Sequence, residues 1–139
     1  MPEWAFVALG SNMGDREHYL RLAKRRLRDL PETSCAAETA VEETDPIGPD
    51  GQRKYLNQML LLRTSMRPHE LLNHFHAIEQ QAGRERGAPW GERTLDIDLV
   101  RYGDESVHDA KLTIPHPQIP NRPFWQRELS ELEEYVGER

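Results

Sequence analysis

The hydrophobic pattern of the chain begins with a short apolar run and continues with an amphipathic segment. Residues 4–9 are apolar without interruption and stop at Gly10, which predicts a buried strand followed by a turn. Asp15 is a suitable N-cap for a helix, and Pro31 is placed to end that helix. Between them, apolar side chains recur on one helical face while the opposite face is rich in Arg and Lys. We therefore expect a strand, a turn and an amphipathic helix.

The middle of the chain has the pattern of two strands and a loop. Residues 33–44 are rich in Thr, Val and Ala and predict a strand, and residues 55–64 form a second apolar run. Prolines and glycines punctuate residues 45–54, which predicts a loop. We expect the two strands to pair in an antiparallel manner.

A second amphipathic helix and a further strand follow. Pro68 suits the first helical position, apolar residues then recur at helical spacing, and Gly83 is a natural C-terminal stop. A loop over residues 83–93 leads to a strand over residues 95–102 that carries two acidic side chains. Beyond it, four prolines favour short elements, with a helical turn or two over residues 128–135.

The predicted order of elements is strand, helix, strand, strand, helix, strand. Two helices against one largely antiparallel sheet make an α+β fold, and the ferredoxin-like βαββαβ arrangement is the simplest with this order. The length of 139 residues suits one domain over residues 1–139.

Composition narrows the class of partner and the compartment. The net charge of −6 argues against non-specific nucleic-acid binding, which needs a basic field. The single cysteine, Cys35, excludes an intramolecular disulfide, and we expect it to be a small core residue. No apolar stretch is long enough for a signal peptide or a membrane span. We therefore expect a cytoplasmic protein with no membrane partner.

The sharpest chemical feature is the pair Asp96 and Asp98. Residues two apart on a strand point to the same face, so these carboxylates lie side by side. Adjacent like charges repel unless a positive charge lies between them, and magnesium is a common solution because it also binds substrate phosphates. The alternative is a pair of solvated aspartates, or aspartates paired with nearby arginines.

Arginines are concentrated next to this carboxylate pair. Arg84, Arg86 and Arg93 flank one loop, and Arg122 follows later. Arginine is well suited to clamp phosphate oxygens, so the combination indicates a site for a magnesium polyphosphate. A solvated charged loop is the alternative. The chain has no G-x-x-x-x-G-K-[ST] motif, which excludes a P-loop enzyme.

Other candidate groups lie near the predicted loops. His116, between two prolines, is suited to donate to a phosphate or to serve in acid–base work, although a structural histidine is the alternative. His69 and His76 share a helical face, where we prefer surface positions to a zinc site. Aromatic and amide groups suited to a flat heterocycle are Tyr55, Asn57, Trp90 and Phe124, with a core position as the alternative for Tyr55.

These segments together resemble the 6-hydroxymethyl-7,8-dihydropterin pyrophosphokinase family of folate biosynthesis. The resemblance extends from residue 5 to about residue 132, with the segments in the family's order. The main matching segments are residues 8–15 (ALGSNMGD), 44–48 (TDPIG), 55–57 (YLN), 83–86 (GRER), 90–99 (WGERTLDIDL), 112–117 (LTIPHP) and 122–124 (RPF).

The resemblance implies an ATP-dependent transferase that gives the pterin diphosphate and AMP, and it implies a monomer. Asp96 and Asp98 would ligate two magnesium ions, and Arg84 and Arg93 would also steady the transferring group. The residues implied to bind ATP are Glu79, Arg84, Arg86, Trp90, Arg93, Leu99, Thr113, His116 and Arg122. The residues implied to bind the pterin are Thr44, Ile47, Tyr55, Asn57 and Phe124.

Several residues depart from the family pattern. His76 and Glu92 replace residues more common in the family, and Pro123 stands between Arg122 and Phe124. The segment after Phe124 is also more polar than is usual. Two alternatives therefore stay open: a non-catalytic or altered paralogue that binds pterin or nucleotide, and an unrelated magnesium-phosphate enzyme on a similar fold.

Overall fold

Strands and helices alternate along the chain in a computed structural model that describes residues 1–45, 53–83 and 94–137. The strands are β1 (Glu3–Ser11), β2 (Thr33–Glu38), β3 (Glu42–Thr44), β4 (Tyr55–Thr64), β5 (Asp96–Tyr102), β6 (Val107–His108) and β7 (Thr113–Ile114). The helices are α1 (Arg16–Arg28), α2 (Pro68–Gln81) and α3 (Pro123–Gly137), with a short 3-10 turn at Ile119–Asn121.

The main sheet is antiparallel and has the strand order β2-β4-β1-β5, with β3 paired to the beginning of β4. Strands β6 and β7 form a separate two-stranded hairpin. The predicted α+β class and the antiparallel pairing of the two middle strands are confirmed, and the order of the four long strands is consistent with a ferredoxin-like core.

The helix boundaries follow the local signals in the sequence. The Asp15 carboxylate Oδ1 accepts a hydrogen bond of 3.1 Å from the backbone N–H of His18 and caps α1. Pro68 begins α2, since a proline at the first helical position gives up an N–H that the helix does not use. Gly83 follows α2 with a φ of 73°, a left-handed conformation that glycine adopts readily.

Two hydrophobic cores lie on opposite faces of the main sheet. Helices α1 and α2 cover one face, where their buried side chains include Leu27, Leu71 and Phe75. Helix α3 covers the other face, where Trp125 and Leu129 pack against apolar residues of β1, β4 and β5. The sheet therefore lies between α1 and α2 on one side and α3 on the other. Successive side chains along a strand point alternately into the two cores.

Two predicted elements were wrong in extent. Residues 33–44 form two strands instead of one, because the ladder with β4 shifts register between Cys35 and Ala37 and is interrupted before Glu42. Helix α3 begins at Pro123 and runs to Gly137, whereas the prolines of this region predict only a short helical turn or two. Proline breaks a helix interior but is tolerated in the first turn.

Cys35 is partly buried and packs against the core under α1 and α2, as expected of a small apolar residue. Burial is the main cause that raises the pKa of its thiol. Among the residues that the structure describes, no helix is long and apolar enough to cross a membrane.

Candidate functional site

The site is built where the end of β1 meets the beginnings of β4 and β5. Gly10 on β1 lies directly opposite Asn57 on β4 and opposite Asp96 on β5. Two residues earlier, Ala8 lies opposite Asp98. Directly opposed residues of an antiparallel pair share one face, so the amide and both carboxylates project from the face that α3 covers.

These side chains line one cavity of about 360 Å³. Seven residues that the sequence suggested for ligand binding contribute to its wall: Thr44, Tyr55, Asn57, Asp96, Asp98, Arg122 and Phe124. The described residues implied to bind the pterin therefore share a cavity with both residues implied to bind metal. An aromatic wall, an amide and two carboxylates are chemically suited to a flat polar ring next to a phosphate group.

The amide end of the cavity is held by strand pairing and by a side-chain hydrogen bond. Asn57 is 7% exposed, and its Nδ2 donates to Thr44 Oγ1 at 2.5 Å. Thr44 lies opposite Tyr55 in the β3–β4 ladder. The backbone therefore fixes the spacing of the amide, the hydroxyl and the aromatic ring.

The carboxylate end is partly open to solvent. Asp96 and Asp98 are half-buried, while Ile97 between them is 4% exposed and faces the core under α1 and α2. The predicted alternation is thus confirmed. Within the described ranges, no three His, Cys, Asp or Glu side chains cluster tightly enough to hold a metal ion. Two carboxylates leave most coordination positions to waters and phosphate oxygens, which suits magnesium.

Helix α2 supports the strand that carries the two aspartates. Glu79 is 6% exposed, and its Oε2 accepts a 2.8 Å hydrogen bond from the backbone N–H of Ile97. Strand β5 is the last strand of its sheet, and an edge strand has N–H groups that no neighbouring strand satisfies. Glu79 therefore fixes the backbone between Asp96 and Asp98 from behind the sheet.

His116 lies beside the carboxylate pair. Its Nε2 is 3.8 Å from Asp98 Oδ1, and its Nδ1 accepts a 3.1 Å hydrogen bond from the backbone N–H of Gln118. Burial, and secondly the charge of Arg122, lower the pKa of the imidazole. A neutral ring that accepts at Nδ1 carries its proton on Nε2, the atom that faces Asp98.

Arg122 brings positive charge to the cavity wall. Its guanidinium carbon lies 4.4 Å from the centre of the Trp125 ring. The Nε atom of Arg122 is buried and has no hydrogen-bond partner among the described residues. Among the described residues, stacking on Trp125 therefore places the Arg122 side chain.

The other predicted residues lie away from this cavity or outside the described residues. Leu99 is 2% exposed in the core under α1 and α2, and Thr113 belongs to the β6–β7 hairpin. The remaining predicted residues, Ile47, Arg84, Arg86, Trp90 and Arg93, lie outside the described residues.

The histidines of α2 do not form a site with one another. His76 is exposed, and His69 is exposed with its Nε2 2.8 Å from Asp109 Oδ2. The preference for surface positions is confirmed for these two side chains.

Six residues of the cavity wall were not predicted as ligand-binding: Ala8, Leu9, Gly10, Asp45, Gln118 and Trp125. Gly10 and Asp45 fall inside segments that carried the family resemblance, so position in a motif was a usable signal for them. Trp125 departs from the family pattern, and only the packing of α3 shows that it reaches the cavity.

Comparison with known proteins agrees with this geometry. The family model described as 7,8-dihydro-6-hydroxymethylpterin-pyrophosphokinase matches residues 6–134. The chain is 38% identical over 128 residues to the 2-amino-4-hydroxy-6-hydroxymethyldihydropteridine pyrophosphokinase of Bacillus subtilis (strain 168), covering 92% of this chain and 77% of that protein. It is 34% identical over 132 residues to the protein of the same name from Pseudomonas aeruginosa, covering 95% of this chain and 82% of that protein.

A third relative has the same name and similar coverage. The Haemophilus influenzae protein is 37% identical over 120 residues, which is 86% of this chain and 75% of that protein. The resemblance inferred from the sequence motifs is thereby confirmed. The chain belongs to the 7,8-dihydro-6-hydroxymethylpterin-pyrophosphokinase family.

Proposed function

We propose that this chain transfers a pyrophosphoryl group from ATP to the hydroxymethyl group of 6-hydroxymethyl-7,8-dihydropterin. The products are the pterin diphosphate and AMP, and the enzyme is an ATP-dependent transferase of folate biosynthesis. The observation that carries the proposal is that one cavity joins the Asn57 and Thr44 pair to the two carboxylates of β5. A pterin ring bound at the first pair would direct its substituent toward Asp96 and Asp98.

Tyr55 and Phe124 provide the apolar surface for the pterin ring. Both side chains line the cavity, and a flat heterocycle stacks favourably on aromatic rings. Asn57 and Thr44 provide directed hydrogen-bonding groups for its polar edge. The family resemblance adds Ile47 to the residues that would bind the pterin. Ile47 lies outside the described residues.

Asp96 and Asp98 are the proposed ligands of two magnesium ions. The donor set fits, because hard carboxylate oxygens lie at a half-exposed edge that phosphates and water can reach. When bound, the ions would supply positive charge to the triphosphate and help to align the reacting groups. Without a cation between them, the two carboxylates would repel the polyphosphate.

His116 and Arg122 are the proposed protein contacts of the ATP phosphates beside those carboxylates. The N–H at His116 Nε2 and the guanidinium of Arg122 are hydrogen-bond donors, as anionic oxygens require. The family resemblance assigns Leu99 and Thr113 to the border of the adenosine, and since the Leu99 side chain is buried in the core, its backbone would make that contact. Glu79 would support the nucleotide site through the backbone of β5.

The family resemblance assigns the rest of the phosphate site to residues outside the described ranges. Arg84 and Arg93 would steady the transferring group, Arg86 would lie beside them, and Trp90 would close over the substrates. These roles rest on the motifs alone.

The chemistry places few covalent demands on the protein. The hydroxymethyl oxygen attacks the β-phosphorus of ATP, and the bond from that phosphorus to the oxygen bridging to the α-phosphorus breaks. AMP leaves with the bridging oxygen. Positioning of the two substrates and neutralisation of charge account for most of the catalysis in such a transfer. The rigid amide, ring and carboxylate positions are suited to this task.

We also propose that the enzyme acts as a cytoplasmic monomer without nucleic-acid or membrane partners. The net charge of −6 supports the absence of a nucleic-acid partner. Within the described ranges, the exposed large hydrophobic residues are Met1 and Val41, which is too little for a stable apolar interface.

The decisive experiment is an AMP-formation assay with purified protein, ATP, magnesium and 6-hydroxymethyl-7,8-dihydropterin. We expect AMP and the pterin diphosphate to appear in equal amounts, with no AMP when the pterin is omitted. Tight binding of either substrate without AMP would favour the non-catalytic paralogue instead. Turnover of other phosphate esters with indifference to pterins would favour an unrelated magnesium-phosphate enzyme.

A further inference from the structure

Trp125 contacts two of the groups that the proposed function assigns to the ATP phosphates. Its side chain is 2% exposed and also contributes to the cavity wall. The His116 ring meets it edge to face, with the ring centres 4.9 Å apart and the planes at 87°. The Arg122 guanidinium carbon lies 4.4 Å from the centre of the same ring.

Each of these contacts has a favourable electrostatic component. The face of an indole ring is electrostatically negative and its edge is positive. A cation is therefore favoured above the face, and a second aromatic ring is favoured perpendicular to the indole. The Nε of Arg122 is buried and has no hydrogen-bond partner among the described residues. The indole is thus the main described support of the guanidinium.

The position of Trp125 in α3 makes this support rigid. Leu129 and Leu132 follow on the same buried stripe of the helix and pack with Trp125 against the sheet. An aromatic ring anchored in a core keeps one orientation, because interiors are close-packed. The guanidinium and the imidazole therefore rest on a fixed platform at the edge of the cavity.

We propose that Trp125 is a positioning residue that holds Arg122 and His116 in place for the nucleotide phosphates and thereby sets the affinity for ATP. This inference rests on the proposed function and adds a residue that acts through two others. A core-filling role alone would make the aromatic face irrelevant. A positioning role makes the aromatic face essential, so that Phe should substitute for Trp and Leu should not.

The chain offers a matched control in Trp4. The Arg63 guanidinium carbon lies 4.4 Å from the centre of the Trp4 ring, and Tyr135 meets this ring edge to face. Trp4 also packs against the core under α3. The Trp4 pair therefore repeats the stacking geometry without contributing to the cavity wall.

The test compares Trp125→Leu, Trp125→Phe and Trp4→Leu in two measurements that need no turnover. NMR of the arginine side chains reports whether the Arg122 protons keep the upfield shift that an indole ring current causes. Calorimetry reports the affinity for a non-hydrolysable ATP analogue with magnesium. Thermal unfolding of each variant is recorded alongside, so that a loss of fold is recognised.

For Trp125→Leu we expect loss of the Arg122 shift and an affinity about 3- to 30-fold weaker, the range of one cation–π contact. Trp125→Phe should stay within about threefold of the wild type, and Trp4→Leu should leave the affinity unchanged. Unchanged Arg122 signals in Trp125→Leu, or equal weakening by Leu and Phe at matched stability, would overturn the inference.

Should Trp125→Leu fail to fold, Trp125→Phe and Trp125→Met decide the matter, because Met fills space without an aromatic face. Met binding the analogue as well as Phe would overturn the inference, and weaker binding by Met would support it. Failure of the wild-type chain to form AMP would contradict the proposed function but not the positioning role of Trp125, since NMR and calorimetry do not depend on turnover.

Discussion

At the residue scale, the absence of a side chain at Gly10 keeps the cavity open between the amide and carboxylate ends. A Cβ built at this position would lie 3.4 Å from Asn57 Oδ1 and 3.5 Å from Tyr55 Cδ1. Both distances are at the short end of ordinary van der Waals contact, so an alanine side chain fits here with little adjustment of its neighbours. A branched side chain would enter the space between Asn57 and Tyr55 that we assign to the pterin.

Gly10→Val is therefore expected to weaken pterin binding selectively. Overpacking of a filled site costs about 1–3 kcal/mol, so the KM for the pterin should rise roughly 5- to 150-fold. The KM for ATP should change less than twofold, and Gly10→Ala should lie near the wild type in both. Steady-state kinetics with each substrate varied in turn measure the two constants. An equal rise in both constants would show that the substitution deforms the sheet instead.

Asp98 permits a second prediction, which separates catalysis from stability. Its side chain is 38% exposed, and its Oδ1 lies 3.8 Å from Nε2 of His116. Burial lowers the pKa of that imidazole. A partly exposed carboxylate contributes little to folding, whereas a magnesium ligand is indispensable to turnover. Asp98→Asn should lose at least about a hundredfold in kcat, with a free energy of unfolding within about 1 kcal/mol of the wild type.

AMP formation and urea denaturation measure the two quantities for Asp98→Asn. The exposed Asp104 provides the control, since Asp104→Asn removes an equal charge from the turn that follows β5. Near-normal activity in Asp98→Asn would contradict the metal assignment. A large loss of stability would mean that the carboxylate has a structural role.

At the scale of elements, helix α3 is docked on the sheet partly through a buried carboxyl group. Glu128 is 4% exposed, and its Oε2 accepts a 3.2 Å hydrogen bond from Thr39 Oγ1. The other oxygen, Oε1, has no hydrogen-bond partner among the described residues. Burial first, and then the charge of Glu42, raise the pKa of Glu128 to about 7, with a smaller raising effect of Glu131. Thr39 and Arg127 oppose the rise.

The sign of the resulting pH dependence follows from the raised pKa. Below pH 4.5 the carboxyl is protonated in both the folded and the unfolded chain, and its contribution to stability is fully present. As the pH rises toward 7, the unfolded chain releases the proton first. Stability is therefore lost between about pH 4.5 and pH 7, by up to about 3 kcal/mol.

Glu128→Gln should remove this loss, because the amide has the shape of the protonated carboxyl and does not ionise. The variant should match the wild type near pH 4.5 and be more stable by about 1–3 kcal/mol at pH 8. Urea denaturation across this pH range measures the difference. Glu134→Gln, an exposed change on the same helix, should show a flat difference. Parallel stability curves for Glu128→Gln and the wild type would contradict a raised pKa.

Elements with strong periodicity could be predicted from the sequence, and elements that depend on partners could not. Strand β4 and the beginning of α2 agree with the prediction to the residue, because an apolar run and Pro68 define them locally. The start of α3 at Pro123 depends on what precedes the proline, and the break between β2 and β3 depends on pairing with β4. Neither the start of α3 nor the break between β2 and β3 can be predicted from the sequence of that segment alone.

The candidate site shows the same division. The motifs were sufficient to name Asp96, Asp98 and Asn57, since each residue type has a recognisable chemistry. Their proximity follows only from register, in which Gly10 faces Asn57 on one side and Asp96 on the other. The stacking of Arg122 on Trp125 depends on how α3 docks, and no spacing along the chain encodes it.

At the scale of the whole molecule, the acidic chain must bind a polyanion. The net charge of −6 opposes ATP, and Asp96 and Asp98 add to that opposition at the site itself. Arg122 supplies positive charge to the cavity wall, and the family resemblance adds Arg84, Arg86 and Arg93, which lie outside the described residues. A magnesium ion would bridge the carboxylates and the phosphate oxygens, so binding of the triphosphate is expected to be coupled to magnesium and to weaken when the metal is removed.

This coupling predicts how ligands shift the thermal stability of the protein. A non-hydrolysable ATP analogue with magnesium, at about 100 times its Kd, should stabilise the fold by about 2.7 kcal/mol and raise Tm by roughly 5–10 °C. With EDTA in place of magnesium most of the rise should be lost, because no cation then bridges the carboxylates and the phosphates. Asp98→Asn should abolish most of the rise, while Asp104→Asn should keep it. Scanning calorimetry measures all four, and an undiminished rise in EDTA would mean that the nucleotide binds without the aspartates and that the carboxylate pair has another purpose.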